Sequence, residues 1–133
     1  MTSLTALLIF TAWTLLLVAG VLLYRGVKVL GGTPINSWAR GRETAANSAF
    51  AVRLGDAHAN SVENLAVFAT IVLAAAAMGK SSAIDALAPW VVYVRVAQSL
   101  VHLLGTTQLL VTVRATLWAV QLALFGWMLF RLF

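Results

Sequence analysis

Four long apolar runs dominate this chain and leave it few ways to fold. They cover about residues 4–24, 49–78, 86–104 and 110–130. A helix needs about 20 mostly apolar residues to cross a bilayer, and the runs are continuous rather than alternating, which predicts helices and not barrel strands. The chain is 62% hydrophobic and 10% charged, whereas soluble domains carry about 25% charged residues. We therefore expect an integral membrane protein in a lipid bilayer: one all-α domain, residues 1–133, folded as a bundle of four transmembrane helices.

The charges of the chain indicate an orientation in the membrane. The net charge is +5, but the cations are scattered, so we interpret them as loop charges and not as a nucleic-acid surface. Most lie around the first connection: Arg25, Lys28, Arg40, Arg42 and, at its edge, Arg53. Because positive loops stay in the cytoplasm, we expect this loop to be cytoplasmic and both termini to lie on the other side.

Two absences from the sequence limit the chemistry. The chain has no cysteine, which excludes disulfides and any protein thiol nucleophile. Its two histidines, His58 and His102, are far apart in sequence, so we expect no metal site.

The second apolar run begins with a strongly polar stretch, residues 53–64. With about 100° of rotation per residue, five of its side chains fall within an arc of roughly 100° on a helix. They are Arg53, Asp56, Asn60, Glu63 and Asn64. His58 points away from this arc, which is more typical of a helix contact than of a catalytic base.

The third and fourth runs each carry a polar face as well. The face of the third run consists of Arg95, Gln98, Ser99 and His102. The face of the fourth run consists of Arg114, Trp118, Gln121 and Phe125. Ionisable residues inside a span normally face the bundle interior or a wet cavity, so we expect the three faces to converge.

Two interpretations of the converging faces remain open. Glu63 and Arg95 are the deepest charges of opposite sign, and they could pair simply to hold two helices together. The surplus of other polar groups instead favours a crevice for a polar, anionic ligand near the cytoplasmic side.

The residues of these faces resemble those of a known family. The pattern Ala57-His58-x-Asn60-x-x-Glu63-Asn64, followed by Phe68 and an apolar run, resembles the second-helix signature of the MAPEG family, membrane-associated proteins in eicosanoid and glutathione metabolism. It is closest to the microsomal glutathione transferase type. The third run, with Arg95, Gln98, His102 and Gly105, resembles a second family pattern, and the resemblance covers nearly the whole chain.

The resemblance implies a homotrimer that binds glutathione, as thiol co-substrate, in a crevice between subunits. It implies Arg114 as the catalytic arginine that activates the thiol. The implied glutathione-binding residues are Asn60, Glu63, Arg95 and Arg25, with Lys28 as an alternative to Arg25. From the polar faces we add Arg53, Asn64 and His102 as further candidates for binding glutathione. The chain departs from the family pattern where Asp56 replaces an arginine and His102 a tyrosine.

From this resemblance we expect a glutathione-dependent transferase or peroxidase that acts on hydrophobic electrophiles in the membrane. Two alternatives stay open. One is a non-catalytic, lipid-binding or accessory subunit that has lost glutathione binding. The other is a small four-span transporter that uses Glu63 as its central carboxylate.

Overall fold

Four α-helices make up the chain in a computed structural model that describes residues 1–38 and 47–133. They are α1 (Ser3–Leu30), α2 (Ala49–Ala77), α3 (Ala88–Leu104) and α4 (Gln108–Leu132). Short 3-10 turns, Ile35–Trp38 and Ser81–Ala83, lie in the first and second connections. Arg40 and Arg42, which contribute to the predicted orientation, lie outside the described residues.

The prediction of an all-α chain with four helices is confirmed. Among the described residues, α1, α2 and α4 are long and apolar enough to cross a membrane. At about 1.5 Å per residue, the 17 residues of α3 fall short of a hydrocarbon core of about 30 Å, so four complete spans stay a prediction. Helix α1 continues past residue 24 to Leu30, because Arg25 and Lys28 favour a helix about as well as leucine does.

Local sequence signals set the helix ends. A hydroxyl side chain precedes α1, α2 and α4 and accepts a hydrogen bond from a backbone N–H of the first turn, as an N-cap does. These caps are Thr2, Ser48 and Thr107. Gly79 follows α2 at φ +67°, where the absence of a Cβ makes a left-handed conformation inexpensive.

Two apolar clusters hold the helices together. The larger one centres on Phe68 of α2, whose ring centroid lies 5.7 Å from that of Phe10 and 6.1 Å from that of Phe125. It joins all four helices on the side of the N-terminus. The smaller cluster, near the other end of the bundle, contains Leu17, Leu54 and Ala57.

A buried polar layer lies between the two clusters, and Arg95 of α3 is its centre. The Arg95 side chain is 1% exposed. Its Nη1 donates to Asn60 Oδ1 of α2 at 2.6 Å, and its Nη2 donates to Gln121 Oε1 of α4 at 2.5 Å. Its Cζ lies 5.7 Å from the ring centroid of Phe10 of α1, a cation–π geometry. One side chain therefore contacts all three other helices.

Hydrogen bonds at the N-terminal end of the bundle join distant parts of the chain. The Ser3 backbone N–H donates to Asp85 Oδ1 at 2.7 Å, so a carboxylate caps the positive end of the α1 dipole. The Lys80 ammonium donates to the Leu132 carbonyl at 2.5 Å and caps the negative end of α4. The N-terminus, the α2–α3 turn and the C-terminal end of α4 thus lie together, as antiparallel helices require.

The Arg95–Gln121 bond should contribute measurably to stability, because hydrogen bonds to a charged group contribute about 1.5–3 kcal/mol. In a double-mutant cycle of Arg95→Met and Gln121→Leu, the free energies of unfolding in detergent should show a coupling of about 1–3 kcal/mol. Arg131→Met, on the exposed end of α4, is the control and should show no coupling to Gln121→Leu. Strictly additive effects for the Arg95 pair would show that the bond contributes nothing.

Removing the Asp85 carboxylate should destabilise the N-terminal end of the bundle. Asp85→Ala leaves the Ser3 N–H without its acceptor and the α1 dipole without its anion, at a cost of about 1–2 kcal/mol. Unfolding in detergent measures this cost against Ser82→Ala, an exposed position in the same connection. Equal stability of the two variants would contradict the capping role.

Candidate functional site

A groove on the bundle surface runs between α2 and α4, with α3 beneath it. Its volume is about 150 Å³. Its polar side consists of Asn60, Gln98 and Arg114, and its apolar side of Val111, Ala115 and Trp118. The groove therefore brings residues from all three predicted polar faces to one place.

Gln98 forms the floor of this groove. Its Nε2 donates to the Arg114 backbone carbonyl at 3.3 Å, which ties α3 to the first turns of α4. Its Oε1 is buried and has no partner among the described residues. A buried acceptor without a donor costs free energy, so this oxygen is suited to a donor that a ligand brings.

The predicted stripe on α2 divides into a buried part and an exposed part. Asn64 is buried, and its Nδ2 donates to the backbone oxygen of Asn60 at 2.8 Å and to Asn60 Oδ1 at 3.1 Å. Asp56 and Glu63 are exposed. In the described part of the chain, no ion pair joins Glu63 to Arg95, whose two hydrogen bonds go to neutral amides.

Near the end of α3, two predicted residues lie beside each other. His102 is buried at 9% exposure, and the charges of Arg53, Asp56 and Arg114 act on it electrostatically. Arg53 Nε donates to the Leu103 carbonyl at 3.0 Å, so this guanidinium caps the negative, C-terminal end of α3. Both residues thus lie close to the Arg114 end of the groove.

Arg25 and Lys28 lie apart from this groove within one chain. Arg25 lines a separate pocket of about 220 Å³ between α1 and α2, together with Tyr24, Asn47 and Asp56. Lys28 is exposed, and its Nζ lies 5.8 Å from the ring centroid of Tyr24. The structure therefore does not bring these two predicted cations to Asn60 and Arg114.

The sequence places three further residues on the polar faces without indicating them as site residues. Gln98 and Trp118 line the groove, and Gln121 binds Arg95 behind it. Gln121 offers the clearest signal, because it is the one amide within the apolar run 117–130. An amide inside such a run needs a buried partner, and Arg95 supplies it. The sequence could have indicated both Gln121 and Gln98 on this ground.

Comparison with known proteins identifies the family. A family-level comparison matches residues 3–133 to the MAPEG family, which is essentially the whole chain. No curated protein and no solved structure matches it. The match covers all four helices and both sides of the groove, and we conclude that this chain belongs to the MAPEG family of membrane proteins.

Proposed function

We propose that the protein is a glutathione-dependent transferase or peroxidase that acts on hydrophobic electrophiles dissolved in the membrane. The groove between α2 and α4 is the observation that carries this proposal. It places the cation of Arg114 and the amides of Asn60 and Gln98 next to an apolar wall that contains Trp118. A thiol peptide needs the first set of groups, and an apolar electrophile needs the second.

The size of the groove bears on the assembly. Ligand pockets usually measure about 300–1,000 Å³, so about 150 Å³ in one chain accommodates only part of a tripeptide. Further walls must come from elsewhere, and membership of the MAPEG family supports a neighbouring subunit as their source. We therefore propose a homotrimer with one glutathione site at each boundary between subunits.

Arg114 has the role of thiol activation in this proposal. A free thiol has a pKa near 8.5, and a neighbouring guanidinium in a partly dry site lowers that pKa and stabilises the thiolate. The chain itself has no cysteine, so the bound peptide supplies the sulfur. The apolar wall of Val111, Ala115 and Trp118 is the side from which a lipid-dissolved substrate would approach.

The other groups of the region would hold the peptide. Glu63 is exposed one turn beyond Asn60 and fits the ammonium group of glutathione. Asn60 and Gln98 offer amides to its peptide groups, and the unpartnered Gln98 Oε1 can accept from an N–H. Asn64 and Arg95 are buried behind Asn60, and Arg53 and His102 lie at the Arg114 end, so these four position the site. Within one chain Arg25 does not belong to this groove, because it lines a different pocket.

A non-catalytic MAPEG subunit is the second candidate, and Asp56 favours it. This carboxylate is exposed near Arg53 and His102, where it would repel the carboxylates of glutathione. The transporter alternative has less support. Glu63 lies on the outer surface of α2 and not at the centre of the bundle, where a transporting carboxylate is expected.

Titration with glutathione tests the proposed activity. The purified protein should bind glutathione saturably and should raise its thiolate absorbance at neutral pH, because Arg114 lowers the thiol pKa. Arg114→Gln should abolish the thiolate signal while the protein stays folded. Arg131→Gln, the same change at the exposed end of α4, should preserve it. No saturable binding by the wild type would reject the enzyme and favour the non-catalytic subunit.

Substitution of Asp56 tests whether its charge opposes the ligand. Asp56→Asn removes one negative charge, and Asp56→Arg replaces it with a positive one, so glutathione affinity should rise in two steps. At about 1 kcal/mol for each unit of charge that interacts through water, each step corresponds to roughly fivefold. Calorimetry at low and high salt measures both steps, which should shrink as salt screens the charges. Unchanged affinity in both variants would place Asp56 outside the ligand's reach.

A further inference from the structure

A second groove lies on the outer side of the last turns of α1 and shares no lining residue with the groove between α2 and α4. Its volume is about 690 Å³. One wall is a single helical stripe on α1, because its members recur at intervals of three and four residues. The stripe consists of Leu22, Arg25, Gly26, Val29 and Leu30. The 3-10 turn Ile35–Trp38 forms the other wall.

The walls of this groove are mostly apolar and strongly exposed. Leu22 is 71% exposed, Leu30 91% and Ile35 80%. Gly26 leaves the middle of the stripe open, since no heavy atom other than those of its chain neighbours and the nearby α1 backbone lies within 4 Å of the position a Cβ would take. A continuous apolar channel along a membrane helix has the shape that a lipid acyl chain requires.

One end of the groove carries positive charge. The Arg25 guanidinium lies there, with its Cζ 5.9 Å from the centroid of the Trp38 ring. No Asp or Glu is among the residues that line this groove, although Arg25 also lines the pocket between α1 and α2 that contains Asp56. Tryptophan and arginine are typical of the headgroup level of a bilayer.

We propose that this groove is a binding site for an anionic phospholipid. Arg25 holds the headgroup phosphate beside Trp38, and an acyl chain lies along Leu22, Gly26 and Val29. Charge complementarity selects the anionic lipid, because a zwitterionic headgroup brings a cation that Arg25 repels. This site is independent of the proposed glutathione chemistry.

The full chain, purified in mild detergent with equal amounts of phosphatidylglycerol and phosphatidylcholine of the same acyl chains, tests the proposal. Native mass spectrometry should show retained phosphatidylglycerol at least about fivefold in excess, as expected for one added basic contact near a headgroup. Equal retention of the two lipids by the wild type would overturn the proposal.

Two glycine variants test whether the groove is the site. Gly26→Leu places a side chain in the acyl path without a clash in the described structure, and should remove the retained lipid. Gly126→Leu is the matched control on α4, where a Cβ also meets nothing within 4 Å, and should leave retention unchanged. Unaltered lipid in Gly26→Leu, or a change only in subunit number, would show that something other than this lipid occupies the groove.

Two cation variants separate a specific site from diffuse surface charge. Arg25→Gln should lower the preference for phosphatidylglycerol about fivefold. Lys28→Gln removes the same charge one turn further along α1, from a side chain that does not line the groove, and should have a clearly smaller effect. Equal losses in the two variants would indicate diffuse attraction and contradict the site.

Discussion

The buried guanidinium of Arg95 is the interaction on which the rest of the bundle depends. A cation inside a membrane segment costs about 2.5–3.5 kcal/mol on insertion scales, so it persists only where its surroundings compensate for the lost water. Asn60, Gln121 and the Phe10 ring supply much of that compensation from three different helices, while the buried Nε of Arg95 has no partner among the described residues. Apolar side chains tolerate small rotations of a helix, whereas hydrogen bonds of 2.5–2.6 Å do not. The hydrogen bonds of the polar layer therefore add directional constraints on the rotation of α2, α3 and α4 to those of the apolar packing.

The polar layer around Arg95 also connects the fold to the proposed site. Asn60 accepts from Arg95 on its buried side and lines the groove on the other. Gln98 follows Arg95 by one turn of α3, and its amide reaches the Arg114 backbone. The geometry of the groove therefore depends in part on Arg95, which is buried and does not line the groove. Changes in the polar layer should alter both stability and ligand binding, whereas changes at the Arg114 side chain should alter binding alone.

Much of this arrangement follows from the sequence, since helix geometry alone links residues three and four apart. The apolar runs predict the helices, and the stripes on α2, α3 and α4 do converge at Asn60, Gln98 and Arg114. The sequence does not, however, predict the hydrogen-bond partners of Arg95. Glu63 is the nearest acid by depth, but it lies on the exposed edge of its stripe, and the amides on the facing helices are the acceptors that packing places within reach.

The position of Arg25 illustrates a second limit of sequence reasoning. The sequence shows that Arg25 lies near the end of α1. Which side of the bundle its side chain faces depends on how α1 packs against α2. A stripe pattern gives relative angles within one helix and no absolute direction. Only contacts such as Leu54 against Gly20 set that direction, and these require the folded chain.

The exposed acids of α2 constrain how the chain can lie in a membrane. Asp56 and Glu63 are both on its surface, whereas the exposed side chains at the middle of α1 and α4 are apolar, as lipid contact requires. A bare carboxylate in hydrocarbon costs several kcal/mol, so this flank of α2 must meet water, headgroups or protein. The same flank borders the groove that is too small for a whole tripeptide. A neighbouring subunit that covered this polar flank of α2 would complete the site and would also keep two carboxylates out of the lipid. The free-energy cost of exposing these carboxylates to lipid therefore favours assembly at the site, and this argument does not depend on the family resemblance.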